Sequence, residues 1–393
     1  MTKSLKFFLG FQIFAVVSLF LYSFTQVDLG LTLSQASIIQ TLQKSFQQIG
    51  FFNRPLSSAL FIAVLISLFA SYLGILYLSY KNKISRKIFW SLLLATTGIL
   101  VFSYNAFSYD LFNYIFDAKI VTHYQQNPYF HKALDFPNDP MLSFMRWTHR
   151  LYPYGPAWLG ITIPLSFAGL NIFLLTFFIF KLAIGMFFLG CVYFLEKILS
   201  ETNISHKMFA LTLFAFNPLV LIEGLVSAHN DIAMMFFAIL GVYLFLKKKV
   251  VFAVISIIIS YLVKSVTIFL LIPIFASAFA PLVKQKISEE NFFRLCLLSV
   301  FMGFLYVLTK FEIQPWYFLW ILPFVSLVKL NKYLVSLSIF FSLGLLLTYI
   351  IPISQGNYEN IVYYKRIILS MSLLVSLLAP FLFSRFVKFR LEL

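Results

Sequence analysis

The sequence of 393 residues is short of charge: charged side chains make up 11% of it, and only 14 are Asp or Glu against 30 Lys and Arg. Cysteine is scarce too. The two present, Cys191 and Cys296, both fall in apolar segments, which argues against a disulfide framework or a zinc site. No P-loop, dinucleotide-binding glycine pattern or HExxH motif stands at a sensible place, so ATP-driven transport and zinc proteolysis lack support. No internal repeat is evident, which counts against a transporter of duplicated halves. No polar stretch is left over for a soluble domain. Lys3 and Lys6 precede an apolar run from Phe7 to about Val27, too long for a signal h-region and without a small-residue cleavage site, so a retained first helix is expected.

What is plentiful is apolar surface. Hydrophobic residues reach 61%, aromatics 19%, and mean hydropathy is +0.91. Apolar runs of about 20 residues recur, enough as helix to cross about 30 Å of hydrocarbon. The expectation is an all-α polytopic membrane protein, one integral-membrane unit over residues 1–393. The net charge of +16 lies largely in short loops such as Lys81–Lys87, Lys247–Lys249, Lys284 and Lys286, and in the tail with Arg385, Lys388 and Arg390. That is the pattern of cytoplasmic loops beside anionic membrane lipids, not of a nucleic-acid-binding face. It places the N-terminus in the cytoplasm and the protein in the plasma (inner) membrane. Every aspartate then falls on the outer side or within the membrane.

Counting crossings constrains the threading. Spans near 7–27, 57–80 and 88–107 bring the chain outside at Asp110. Runs near 172–195, 208–228 and 231–246 put Lys197 and Lys247 inside and His229 outside. Residues 156–168 would cover only about 20 Å as a helix, so a re-entrant or interfacial helix is expected, begun by Pro153 and Pro156 and stopped by Gly169. The run 250–283 divides into two short helices at Lys264. Spans near 292–310, 316–330, 333–351 and 362–384 complete about twelve.

Residues 108–156 form the longest polar stretch, a large outer loop carrying the candidate catalytic site. Asp110 and Asp117 open it. About two helical turns separate them, so a helix sets both on one face. Such carboxylates can take a proton from a hydroxyl nucleophile or hold a divalent cation; otherwise they are headgroup-level acids bounding a span. Farther along, Asn127, Tyr129, Asp135, Asp139, Arg146, Trp147, Arg150 and Tyr154 mix rings with charges. That mixture suits a sugar face and an anionic group, or an interfacial aromatic belt.

Ser227-Ala228-His229-Asn230-Asp231 is a second cluster, able to bind sugar hydroxyls or a metal, or simply to cap the following helix. Glu223, inside the preceding span, needs a partner or a proton. Lys264, Lys365 and Arg366 are outer-side cations against the orientation rule; they suit a lipid-linked phosphate or snorkel to headgroups. Gln314-Pro315-Trp316-Tyr317 belongs either to the site or to a helix start with a belt.

Taken in order, Tyr109-Asp110, Tyr114, Asp117-Ala118-Lys119, Asn127-Pro128-Tyr129, Asp139-Pro140, Trp147, Tyr154-Gly155-Pro156, His229-Asn230-Asp231, Lys264 and Gln314-Pro315-Trp316-Tyr317 resemble a known pattern. It is that of the polyprenol-phosphate-mannose-dependent mannosyltransferases of the GT-C superfamily, in particular the bacterial α-1,6-mannopyranosyltransferase-like branch. The similarity covers most of the chain and is densest over 104–160 and 217–232; order and spacing carry it, since each motif is short. The resemblance implies a GT-C-like membrane glycosyltransferase that moves a hexose, mannose by preference, from a polyprenyl-phosphate donor to a glycan or lipid acceptor. It implies inversion at the anomeric carbon and an acidic catalytic residue at Asp110, with Asp117 second. The one cofactor candidate is a divalent cation at the two aspartates, and metal dependence is left open. Lys119 stands where many relatives have arginine, which keeps the charge but loses the bidentate fork. Competing expectations are a transporter or flippase of a lipid-linked sugar, and a glycan ligase or polymerase.

Overall fold

The computed structural model describes residues 3–202, 206–283, 287–356 and 361–386, and within them the backbone forms helices and no strand. Lys284, Lys286, Lys388, Arg390 and the Arg385 side chain lie outside the described residues. The chain runs through α1 (Lys3–Ser23), α2 (Ser37–Gln47), α3 (Arg54–Tyr80), α4 (Arg86–Leu100) and α5 (Asp110–Thr122). After a long connection come α6 (Pro156–Ala168), α7 (Phe173–Glu201), α8 (Lys207–Ala215), α9 (Asp231–Leu246), α10 (Val250–Val263) and α11 (Leu271–Phe279). The last are α12 (Glu289–Leu308), α13 (Leu322–Val325), α14 (Lys332–Leu347), α15 (Ile350–Gln355) and α16 (Ile361–Phe386).

Local chemistry starts these helices. Asn53, Ser85, Ser288 and Asn331 each accept a first-turn N–H with a side-chain oxygen, satisfying donors a helix leaves open. Glu289 and Glu290 add negative charge at the positive end of α12. Pro156 opens α6 and Gly169 follows its last residue, as the prolines and glycine predict.

Among the described residues six helical stretches are long and apolar enough to cross a membrane, or seven if the bent pair formed by α8 and Val220–Val226 is one span. The expected twelve or so are not reached by length, because several apolar runs fold as short helices of 10–17 residues. Residues 316–330 are one such correction: they form a 3₁₀ segment, Pro315–Trp320, then the four-residue α13. The run 88–107 shortens to α4, with turns from Val101 onward. As expected, 250–283 breaks at Lys264, whose backbone is extended (φ −156°, ψ 130°). One helix not announced by a hydrophobic run, α2, folds back on the loop before it: Gln47 Nε2 donates to the carbonyls of Val27 (3.1 Å) and Asp28 (3.0 Å).

The break after α8 sets up the site. Pro218 has no N–H to donate and disfavours helix in the residue before it, so the span bends by 53°. Asn217 covers the break, accepting from Leu219 N (2.9 Å) and donating to Ser338 O (3.1 Å) and Ser342 Oγ (3.2 Å). Carbonyls of Leu225 and Val226, at the far end of the bent piece, receive Lys181 Nζ at 2.5 and 2.8 Å. The same ammonium donates to Ser103 Oγ (3.1 Å). This buried lysine of α7 thereby ties the end of the bent piece to the turn after α4, just ahead of α5.

Candidate active site

Asp110 is the first residue of α5, and Tyr114 and Asp117 follow on the same face. The turn 227–230 packs against that face. Tyr114 Oη donates to Asn230 Oδ1 (3.2 Å) and receives Asn230 N (3.4 Å). His229, fully buried, points Nδ1 at Asp110 Oδ2 (3.5 Å) and Nε2 at Glu223 Oε2 (3.3 Å). Both contacts miss hydrogen-bond angles, so they act as charge pairs. Its ring stacks on Trp316 with centroids 4.2 Å apart. Ala228 holds the turn in the left-handed region (φ 53°), where a β-carbon is strained.

Asp231, at the start of α9, takes Lys264 Nζ on both oxygens (2.9 and 3.0 Å) and Trp320 Nε1 on one (2.6 Å). Lys264 sits 5.9 and 5.8 Å from the ring centres of Tyr317 and Trp320. Tyr154 reaches the cluster by close packing at Gly155. A β-carbon there would stand 1.9 Å from Leu262 O, and Gly155 N donates to Val263 O (3.3 Å). Only glycine lets the chain dock on the end of α10, placing the Tyr154 ring 5.0 Å from Tyr114.

The two aspartates of α5 are driven apart electrostatically. Burial by itself would raise the Asp110 carboxyl, but His229, Lys264 and the Tyr154 hydroxyl outweigh it and hold it below the usual value. Asp117 has no such partner; burial first, then the Asp110 charge, raise it to about 8. Burial disfavours the charged form of His229, yet the two carboxylates raise it to about 9. At neutral pH the face therefore carries an ionised Asp110, a protonated Asp117 and an imidazolium. The Asp110 side chain keeps 20% of its exposure while His229 and Glu223 keep none, so Asp110 is the member of the trio open to a ligand.

Buried polar atoms without a hydrogen bond gather around this point. They include Asn113 Oδ1, Trp158 Nε1, both Glu223 carboxylate oxygens, Ser227 Oγ and Asn230 Nδ2. Such groups are rare inside folded chains and call for a ligand or water. Asn113 and Trp158 were not singled out in the sequence. Asn113 was findable three residues after Asp110; Trp158, whose ring lies 5.3 Å from Tyr114, and Trp320 carry no pattern of their own.

The fold brings together Asp110, Asp117, Tyr154, His229, Asn230, Asp231, Lys264 and Trp316. Lys365 lies beside them, donating to Gln314 Oε1 (3.1 Å). Four predicted binding residues stand apart. Lys119 is spent on Asp139 (2.6 Å). Asn127 closes its own turn by accepting Tyr129 N (3.0 Å), and Tyr129 supports the site only through Tyr154 O (3.3 Å). Arg366 is exposed on α16. Among the described residues no group of three or more His, Cys, Asp or Glu is placed to hold a metal ion.

Residues 13–281 match the model of the MptA_B family, described as alpha-(1->6)-mannopyranosyltransferase, N-terminal domain. The chain belongs to that family. It is a membrane mannosyltransferase, which requires a sugar donor and a glycan acceptor. The matched span contains Asp110 through Lys264 but not Trp316 or Lys365. No curated protein and no solved structure matches the chain.

Proposed function

We propose that this mannosyltransferase takes mannose from a polyprenyl-phosphate donor and passes it, with inversion, to a hydroxyl of a glycan or glycolipid at the outer face of the plasma membrane. The observation that carries the reading is the partly exposed Asp110 carboxylate, kept ionised by a buried His229 that Glu223 backs from its other side. The acceptor O–H gives its proton to Asp110 as its oxygen bonds to the anomeric carbon. The bond from that carbon to the lipid phosphate breaks on the opposite side, and its electron pair leaves with the phosphate. A phosphate needs no general acid to depart; it needs positive charge. Lys365, whose partner Gln314 is a neutral amide, supplies it, with Lys264, paired to Asp231, on the same side of the site.

An aspartate held low is a weak base. It is, however, never blocked by a proton, and it becomes competent as the attacking hydroxyl acidifies in the transition state. Asp117 stays neutral beside it, which avoids two adjacent negative charges where an anionic donor must bind. All of this rests on one threading, with the N-terminus in the cytoplasm and the loop 108–156 outside, within a single unit over 1–393. Purified protein given polyprenyl-phosphate-mannose and a mannoside should form an α-linked product, with transfer falling by about 10²-fold or more in Asp110→Asn. Transfer at the parent rate in that variant overturns the assignment.

A further inference from the structure

α5 has a second polar face. Ile115, Lys119 and His123 recur every fourth residue on the side away from Asp110, Tyr114 and Asp117. They line a half-open recess of about 380 Å³ with Tyr124, Asn138 and Asn171, within the range of roughly 300–1,000 Å³ typical of small-molecule sites. The Lys119 charge is cancelled inside the recess by Asp139 at 2.6 Å. His123, Asn138 and Asn171 have side chains with no hydrogen bond among the described residues, whereas Asp139 is saturated by Lys119, Tyr124 Oη (2.7 Å) and Met141 N (2.9 Å).

We propose that this recess is a subsite for a neutral saccharide stretch of the acceptor, remote from the reaction centre; the acceptor role rests on the function proposed above. A cancelled charge disfavours a phosphate or carboxylate. Free amides offer a donor and an acceptor each, which matches adjacent sugar hydroxyls, and the Tyr124 ring offers an apolar face for sugar C–H groups. A helix about 10 Å across separates the recess from Asp110, so only an acceptor of several sugars reaches both. The lipid phosphate of the donor belongs on the other side, with Lys365.

The test uses full-length protein in nanodiscs with an α-1,6-linked mannotetraose and methyl α-mannoside as acceptors. His123→Ala, Asn138→Ala and Asn171→Gly each delete one group at an exposed position; glycine keeps the left-handed backbone of residue 171 (φ 57°). Combined, they should raise KM for the tetraose about tenfold while leaving KM for the methyl mannoside and kcat unchanged. Equal effects on both acceptors, or none on the tetraose, overturn the proposal. Tetraose binding, measured by calorimetry in the Asp110→Asn background, should weaken about tenfold as well. Unchanged binding there overturns the subsite whatever the catalytic role of Asp110. Weakened binding supports the subsite even if Asp110→Asn transfers sugar normally and the catalytic assignment fails.

Discussion

Asp110 and Asp139 are both carboxylates facing a cation beside α5, yet they are bonded in opposite ways. Asp139 accepts from a lysine, a tyrosine and a backbone N–H, all within 2.9 Å. Burial would raise it, but those partners hold it below the ordinary carboxylate value. Asp110 meets His229 only at 3.5 Å, in the midst of buried donors and acceptors with nothing to bond. The first arrangement is finished and holds a loop in place. The second is unfinished until a ligand arrives. Charge content does not distinguish the two regions; the state of their hydrogen bonding does.

The largest expected difference between them is catalytic. Asp110→Asn should lower kcat by about two to four orders of magnitude, whereas Asp139→Asn should keep kcat within about threefold and lower the melting temperature instead, through loss of a charge-assisted bond. Parallel radiolabel transfer and scanning fluorimetry read both, and a comparable kcat loss in the two variants would break the comparison.

Next comes Asp117. Its folded value, about 8, lies above the unfolded one, so unfolding releases a proton and stability falls as pH rises from about 4 towards 8. Asp117→Asn mimics the neutral acid. It should stabilise the protein by at most about 4 kcal/mol at pH 7, with the gain vanishing towards pH 4. Melting temperatures across that range decide it; a destabilised variant at pH 8 contradicts a protonated Asp117.

Gly155→Ala puts a β-carbon against Leu262 O. A cost of about 1–3 kcal/mol in stability is expected, together with reduced transfer as Tyr154 shifts. An unaltered melting curve would show that the close approach is not needed.

The smallest effect is the alkaline one. His229 titrates near 9 in the fold, above its unfolded value, so its contribution is complete below about pH 6.5 and is lost as pH rises through 9. In an Asp117→Asn background the remaining decline in melting temperature above pH 6.5 should belong to His229 and disappear in His229→Gln. A decline of the same size in both removes the imidazolium from the account.

Much of this site was legible in the residues. Asp110 and Asp117 stood out because carboxylates are costly next to hydrocarbon, Lys264 because it interrupts an apolar run, and Glu223 because a buried acid needs a partner. Lys119 and Arg366 stand away from the Asp110 cluster, since a cation in a motif and a cation bonded elsewhere read alike along a chain. Trp158 and Trp320 could not be found, because burial and the direction of an indole N–H are properties of packing. Apolar runs announced helices without fixing their number of crossings: Pro218 and the 3₁₀ turn at Pro315 shorten pieces that hydropathy alone would join.

Composition and order alone determined that this chain is helical, lives in a membrane and carries a mannosyltransferase pattern, because hydrophobicity and motif spacing are linear quantities. Which of its acids is ionised, which partner each buried lysine takes, and which glycine must stay bare were decided only in three dimensions. Those outcomes depend on distances of a few ångströms between residues such as Asp110 and His229, far apart along the chain, where burial and charge act together.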